Sequence, residues 1–561
     1  MTVTRLTATR PTEAVPAPRT DAHPVAKSPA PRFRFRTSGP DLLLCGVLLT
    51  VILTVQGWNI TRFPTFSDDE GTYLAQAWSV QQGRGLGHYT YWYDHPPVGW
   101  IQIALITWPA SLIDQDAMTV ATMRYAMLLV GGISAVLLFV LARRLGLPRW
   151  AAGLGMALFG LSPLAVVLQR EIFLDNIAVM WMLLAFCLAA SPRHHLWHHF
   201  GAGLAAATSV LSKETMLVVL PALLVTMWQH SHRDTRKFAV TGAVVACGLT
   251  GLGYPLYALL NHELFPGRGH VSLIDGIRFQ MGREGSGFIL AKGTNSHAVF
   301  ESWLYYDTVL PLGGLAGAVL LLGVLRWSVT ARALAGPALA VATLALVAMR
   351  PSGYLPAMYV IQALPFLALI VAGTAASVTH AVLLRGARHG ARHGARHGAR
   401  HGARRGARAF RYARGTLLAA LGATVAVLVV SHWYDGDRTA LTADANAPYR
   451  AAAAWMRDDV ADPDRTRALV DDALWLDLVH AGYRPGDGAI WFYKADLDPA
   501  VARTLPNGWR DIDYVVASPT VRRDAVDLPT VKAALQHSTP VAVFGEGADR
   551  IEIRRIAGGT K

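Results

Sequence analysis

Asp68-Asp69-Glu70-Gly71-Thr72-Tyr73, followed by Tyr93-Asp94-His95-Pro96-Pro97, stands just after an apolar run at 41–58. Such a run is long enough to cross the roughly 30 Å of a bilayer's hydrocarbon as a helix, so the acids emerge at a membrane face. Neighbouring carboxylates there are either a solvated loop or a candidate catalytic base, and the rest of the chain has to separate the two readings.

The apolar segment is the first of a series. Others lie near 121–142, 150–168, 173–190, 200–212, 214–229, 238–260, 308–325, 331–348, 355–378 and 415–433. They predict about eleven transmembrane helices, whose backbone polar groups satisfy one another within each helix. Composition agrees: 52% of the 561 residues are hydrophobic and only 16% charged, too apolar for an ordinary soluble enzyme. Residues 1–40, rich in Pro and Ala, read as a disordered basic cytoplasmic tail. No small-residue cleavage site clearly follows 41–58, so that helix is expected to be retained.

Basic residues set the orientation, because Lys and Arg stay on the cytoplasmic side. Arg143, Arg144, Arg149, Arg193, Arg233, Arg236, Lys237, Arg326 and Arg332 all fall on the side of the N-terminus. An odd number of crossings then puts the C-terminus outside, together with the loops at 59–120 and 261–305. The expected localisation is a multi-pass protein of the cell membrane.

The net charge of +14 does not point to nucleic acid. Residues 379–414 hold ten arginines and no acid, and residues 1–40 carry seven basic side chains against two acidic. These two cytoplasmic segments exceed the whole excess and suit anionic lipid headgroups. Within 379–414, His389, His393, His397 and His401 recur every four residues. They are a candidate metal face on a helix, or a low-complexity linker in which Gly leaves nothing apolar to pack.

Cys45, Cys187 and Cys247 sit inside apolar segments as small buried residues, and no disulfide or Cys-ligated metal is expected. After the span at 415–433 the character changes. Residues 434–561 alternate short strands with helices, predicting a small extracytoplasmic α/β domain with a partly parallel sheet and a final hairpin turning at Gly545-Glu546-Gly547. Asp471-Asp472, Trp475 and Trp491 there admit two readings: contacts to a sugar, or a packed core with solvated acids.

Four motifs in the membrane half carry a resemblance: Asp69-Glu70-x-x-Tyr73, Tyr93-x-His95-Pro96-Pro97, Arg170-x-x-x-x-Asp175 and Leu211-x-Lys213. Over roughly 41–378 they resemble the GT-C glycosyltransferases, in the family 39 branch of protein O-mannosyltransferases and aminoarabinose-lipid A transferases. The resemblance implies a GT-C transmembrane catalytic domain that transfers a sugar, with inversion, from a polyprenyl-phosphate donor to an extracytoplasmic acceptor. That acceptor is a protein Ser or Thr, a lipid or a cell-envelope glycan. It makes Asp69, with Glu70 beside it, the catalytic carboxylate, and has a basic or polar residue at the His95 position face the donor phosphate. His95 stands where some relatives have Lys.

The chemistry needs these residue types. A hydroxyl attacks poorly until a carboxylate takes its proton. A departing phosphate needs cationic stabilisation more than an acid, and Lys213, His95, Arg278 and Arg283 are candidates for that. Arg283 lies in a run, Gly282 to Gly287, whose amides also suit an anion. Asp175 and Arg170 shape the site or, alternatively, cap a helix and pair locally. Tyr73 joins the acidic motif, and Tyr359 lines a lipid groove or anchors at the interface. No cofactor is required by this reading beyond the lipid-linked sugar, no metal ligand set is expected, and need for a divalent metal is left open. Two other functions compete: a secondary transporter, against which stand acids at the outer mouth and no half-to-half similarity, and an inactive membrane scaffold presenting the α/β domain.

Overall fold

The computed structural model describes residues 38–113, 118–396 and 402–557. Ser38 caps helix α1 (Gly39–Gly57), its hydroxyl 2.5 Å from the Asp41 carboxylate. Asp41 also binds Arg143 at 3.1 Å and Arg149 at 3.0 Å. One buried acid thereby ties α1 to α4 (Val120–Arg144) and α5 (Arg149–Leu161) at a single end of the bundle. Between α1 and α4 lie α2 (Asp68–Gln81) and α3 (Val98–Ile113). The bundle continues through α6 (Pro163–Arg170), α7 (Leu174–Ala189), α8 (Leu196–Ser212), α9 (Leu220–His230), α10 (Arg236–Gly251) and α11 (Gly253–Leu260). It closes with α12 (Leu273–Gly282), α13 (Asn295–Tyr306), α14 (Gly314–Gly323), α15 (Val329–Ala333), α16 (Ala335–Ala348), α17 (Leu364–Arg396) and α18 (Gly402–Thr442).

Every apolar segment in the sequence falls on a helix, but several helices are broken. Four are long and apolar enough to cross a membrane alone: α1, α4, α10 continuing into α11, and 364–382 of α17. Two bent pairs, α5 with α6 at 59° and α13 with the segment at 309–323 at 104°, bring the count to six among the described residues. The first break is at Pro163, whose ring cannot continue the hydrogen-bond ladder of α5. Small residues let the helices close up: a Cβ on Gly203 of α8 would stand 2.2 Å from the Ala243 carbonyl of α10. The stretch at 261–305, expected as an outer loop, is not simply a loop, since it holds α12 and most of α13. The four histidines of the repeat and the tail before Ser38 lie outside the residues whose side chains are described.

The C-terminal region starts with α19 (Ala447–Asp458) and carries a five-stranded sheet in the order β2-β1-β3-β5-β4. The strands are β1 (Ala468–Val470), β2 (Ala489–Trp491), β3 (Tyr514–Ala517), β4 (Ser538–Phe544) and β5 (Ile551–Ile556). β1 pairs in parallel with β2 and β3; β5 runs antiparallel to β3 and β4. The final hairpin turns where Gly545 and Gly547 take positive φ of 79° and 61°. Helix α20 (Asp472–His480) follows β1 and lies against α2.

That contact depends on Gly71. A Cβ there would come within 2.1 Å of the Asp472 backbone, so only glycine lets the two helices meet. Around it, Trp78 of α2 meets Trp475 of α20 edge to face, with ring centroids 5.5 Å apart. Asn446 binds Pro64 O at 2.8 Å and Phe66 N at 2.9 Å. Asp498 accepts from the amide and hydroxyl of Thr90 at 3.2 and 3.1 Å.

Candidate functional site

The acidic stretch is the first turn of α2 rather than a loop, because Ser67 stops the chain before it and Glu70 turns back to bond the Ser67 amide at 3.1 Å. The three acids then diverge. Glu70 is fully buried, its oxygens 2.8 and 2.6 Å from the Arg124 guanidinium and one of them 3.0 Å from the Ile172 amide. Arg124 also binds the carbonyls of Ile60, Pro64 and Thr65, so this pair fixes the entry into α2. Asp68 turns toward the C-terminal sheet, where burial and the neighbouring Asp471 push its carboxyl up to about 7. Asp69, half-buried, faces a cavity of about 220 Å³. Its carboxylate has no hydrogen-bond or ion-pair partner among the described residues.

A charge chain stands beside that cavity. Lys213, where α8 stops, is 8% exposed; its Nζ lies 3.1 Å from His95 Nε2 and 3.9 Å from Asp175 Oδ2. An ammonium donating to Nε2 places the imidazole proton on Nδ1, which faces Glu214 Oε2 at 3.1 Å. Gln362 holds Asp175 at 2.7 Å and Thr215 at 2.5 Å. Tyr73 closes the group, its ring 6.2 Å from that of His95 and 6.0 Å from Lys213 Nζ. The left-handed backbone at Tyr93, φ 55°, and hydrogen bonds from Tyr91 and Tyr254 to the His95 carbonyl, 2.6 and 3.2 Å, set where His95 stands.

Four predicted residues join neither the cavity lining nor the charge chain, although Tyr359 lies near enough to Asp175 to feel its charge. Arg170 is buried among the carbonyls of Val55, Trp58 and Ala440, at 2.7, 2.9 and 2.9 Å, and acts as a staple below the site. Tyr359 is buried with its hydroxyl 3.4 Å from the Leu344 carbonyl. Arg278 is exposed and lies 3.8 Å from Asp275. Arg283 stacks on Tyr354, 3.9 Å from its centroid, and the amides of Ser286 and Gly287 donate to Gly353 and Pro351 rather than standing open to an anion.

The far wall of the cavity comes from the C-terminal region: Asp472, Trp491, Tyr493 and Lys494 line it together with Trp92 and Asp94. Asp471 and Asp472 are buried, not solvated, and Trp475 is core. Trp491 and Asp472 carried a signal in the sequence; Lys494 and Arg124 carried none. A second, almost wholly apolar cavity of about 360 Å³ runs between α8, α9 and α10, reaching Val210 and Leu217 on either side of Lys213. No group of three or more His, Cys, Asp or Glu placed to hold a metal ion occurs among the described residues.

Residues 94–252 match the family model described as dolichyl-phosphate-mannose-protein mannosyltransferase. No curated protein matches the chain. In fold it is similar to ArnT from Cupriavidus metallidurans bound to undecaprenyl phosphate, with a TM-score of 0.55 and 16% identity over 93% of this chain and 99% of that one. The apo state of ArnT from the same organism gives 0.53 and 14%, over 91% and 97%. The Archaeoglobus fulgidus oligosaccharyltransferase tethered with an acceptor peptide gives 0.50 and 12%, over 91% and 74%. A helical bundle with an acid-led segment after its first helix is the fold this chain shares with those structures. The family model covers 94–252 alone, and the likeness to ArnT and the oligosaccharyltransferase is one of fold.

Proposed function

We propose that the protein transfers a sugar from a polyprenyl-phosphate donor to a hydroxyl of an extracytoplasmic acceptor, with inversion at the anomeric carbon. One observation carries this reading: Asp69, an unpartnered carboxylate, shares a cavity with His95, whose ring holds Lys213. The acceptor oxygen attacks the anomeric carbon while the bond from that carbon to the phosphate oxygen breaks. Asp69 takes the acceptor proton, and the polyprenyl phosphate leaves with the bonding electrons. Lys213 faces the charge that grows on the phosphate. His95, with both ring nitrogens engaged, orients Lys213; Asp175 and Glu214 hold the cations in place, and Glu70 with Arg124 positions the turn that carries Asp69. The apolar cavity flanking Lys213 takes the first isoprene units of the donor. Support comes from the family model, whose description names a lipid-phosphate mannose donor, and from a fold neighbour bound to undecaprenyl phosphate. In this reading the chain crosses the membrane eleven times, with its N-terminus cytoplasmic and the C-terminal sheet outside. Protein, lipid and envelope-glycan acceptors all supply the hydroxyl.

The test gives protein in lipid nanodiscs a set of radiolabelled polyprenyl-phosphate sugars with membrane extract as acceptor. Asp69→Asn is expected to lower transfer by about 10²–10⁴-fold while the donor still binds. Equal transfer by both proteins removes Asp69 as base. No transfer by wild type with any donor, together with solute uptake in vesicles, replaces the enzyme by a transporter.

A further inference from the structure

Lys494 is 4% exposed, yet its ammonium has no hydrogen bond or ion pair among the described residues. It rests 3.4 Å from the ring centroid of Trp92, with Tyr493, Tyr89 and Trp491 at 5.7, 5.8 and 6.0 Å. Burial pulls it down to about 8, against the attraction of Asp498, Asp94 and Asp472. Beside it, Asp472 Oδ2 accepts from Thr72 at 2.6 Å and Tyr493 at 3.1 Å, while Oδ1 is buried with no partner. The Trp491 indole N–H and the Gln76 carbonyl oxygen are also buried without partners. All of these side chains except Asp498 line the same cavity. Buried polar groups are normally satisfied, so donors and acceptors left together along one wall point to a ligand that supplies their partners.

We propose that Asp472, Trp491, Tyr493 and Lys494, with Trp92, form a subsite for a sugar ring carrying neighbouring hydroxyls. A hydroxyl accepts from Lys494 or the Trp491 N–H and donates to the free oxygen of Asp472 or Gln76, while the C–H face of the ring lies on the aromatic rings. An anion does not suit the wall, because Asp69, Asp94 and Asp472 share the cavity with it. A cationic ligand does not suit it either, because Lys494 already occupies the aromatic faces. The C-terminal region thus contributes specificity, which deepens the transferase reading and rests on it. The ring belongs to the donor or to a glycan acceptor.

Two readouts test this on the full chain in nanodiscs free of sugar detergent. Saturation-transfer NMR with methyl α-mannopyranoside, methyl α-glucopyranoside and methyl β-arabinofuranoside is expected to show saturable binding of at least one. That binding should weaken about tenfold in Lys494→Met and in Trp491→Phe, measured at a temperature below the thermal midpoint of each variant. In turnover, Lys494→Met should raise one KM about tenfold and leave kcat within about threefold. A raised donor KM assigns the ring to the donor, and a raised acceptor KM to the acceptor. Glycoside binding that Lys494→Met abolishes, in a protein that transfers no sugar, keeps the subsite and discards the transferase. No saturable binding by wild type, or equal binding by both folded variants, overturns the subsite.

Discussion

The two walls of the cavity are built on opposite terms. On the bundle side, next to a lining that includes the unpartnered Asp69 and Gln76 oxygen, Asp175, Lys213, His95 and Glu214 form a chain in which each charge has its partner, at 3.9, 3.1 and 3.1 Å in turn. On the side of the C-terminal sheet, Lys494 and one oxygen of Asp472 have none. A satisfied network is already arranged for charge that appears during a reaction, since nothing has to reorganise when it does. An unsatisfied wall is arranged for a molecule that arrives. On the proposed reading, the contrast separates the place of phosphate chemistry from the place of sugar recognition.

The largest expected effect breaks the support beneath the satisfied side. Arg124→Met leaves Glu70 buried without its partner, which costs about 3–5 kcal/mol and is read as a fall in the denaturation midpoint, with activity lost alongside. An unchanged midpoint would mean that Glu70 is held by its backbone contacts alone. Next, Lys213→Met removes the cation and is expected to lower kcat about 10²–10³-fold while the protein stays folded. Comparing it with Lys494→Met sharpens the contrast, since one should act on kcat and the other on KM. A KM effect from Lys213→Met would merge the two walls into one binding surface.

The smallest effect concerns the seam between them. Burial raises the Asp68 and Asp471 carboxyls to about 7 and about 6, above their ordinary value of 3.8. Folding therefore retains protons that the unfolded chain releases, so this contribution to stability is complete below about pH 4 and is lost as pH rises through about 7. Asp68→Asn should flatten that slope, raising the thermal midpoint at pH 8 relative to pH 4.5 by a few degrees. A parallel shift at both pH values would assign the slope to other groups.

Helices and strands were legible because apolar runs and alternation repeat over short spans, and the final hairpin followed from its glycines. The acidic stretch that carries Asp69 stood out for a similar reason, as a dense local motif. That it starts a helix turned on Ser67 and Glu70, a local signal that the acid count overshadowed. The far wall was not legible, because Thr72 and Asp472 meet across 400 residues of chain. No local pattern distinguishes a lysine that packs under an indole from one that faces water. Arg124 was hidden in an apolar run, where its charge looked like an interruption rather than the partner of Glu70.

Arg170 carries a consequence for how the chain is made. Its guanidinium meets the carbonyls of Val55 and Trp58 from one side and of Ala440 from the other. The first two are synthesised before it, and the third emerges only after another 270 residues. During biogenesis the early helices are therefore held by a clasp that is half closed, and a chain that stops short of Ala440 leaves it so. The helix that carries Ala440 thereby closes a clasp begun at the end of α1, and a chain cut before Ala440 lacks that contact.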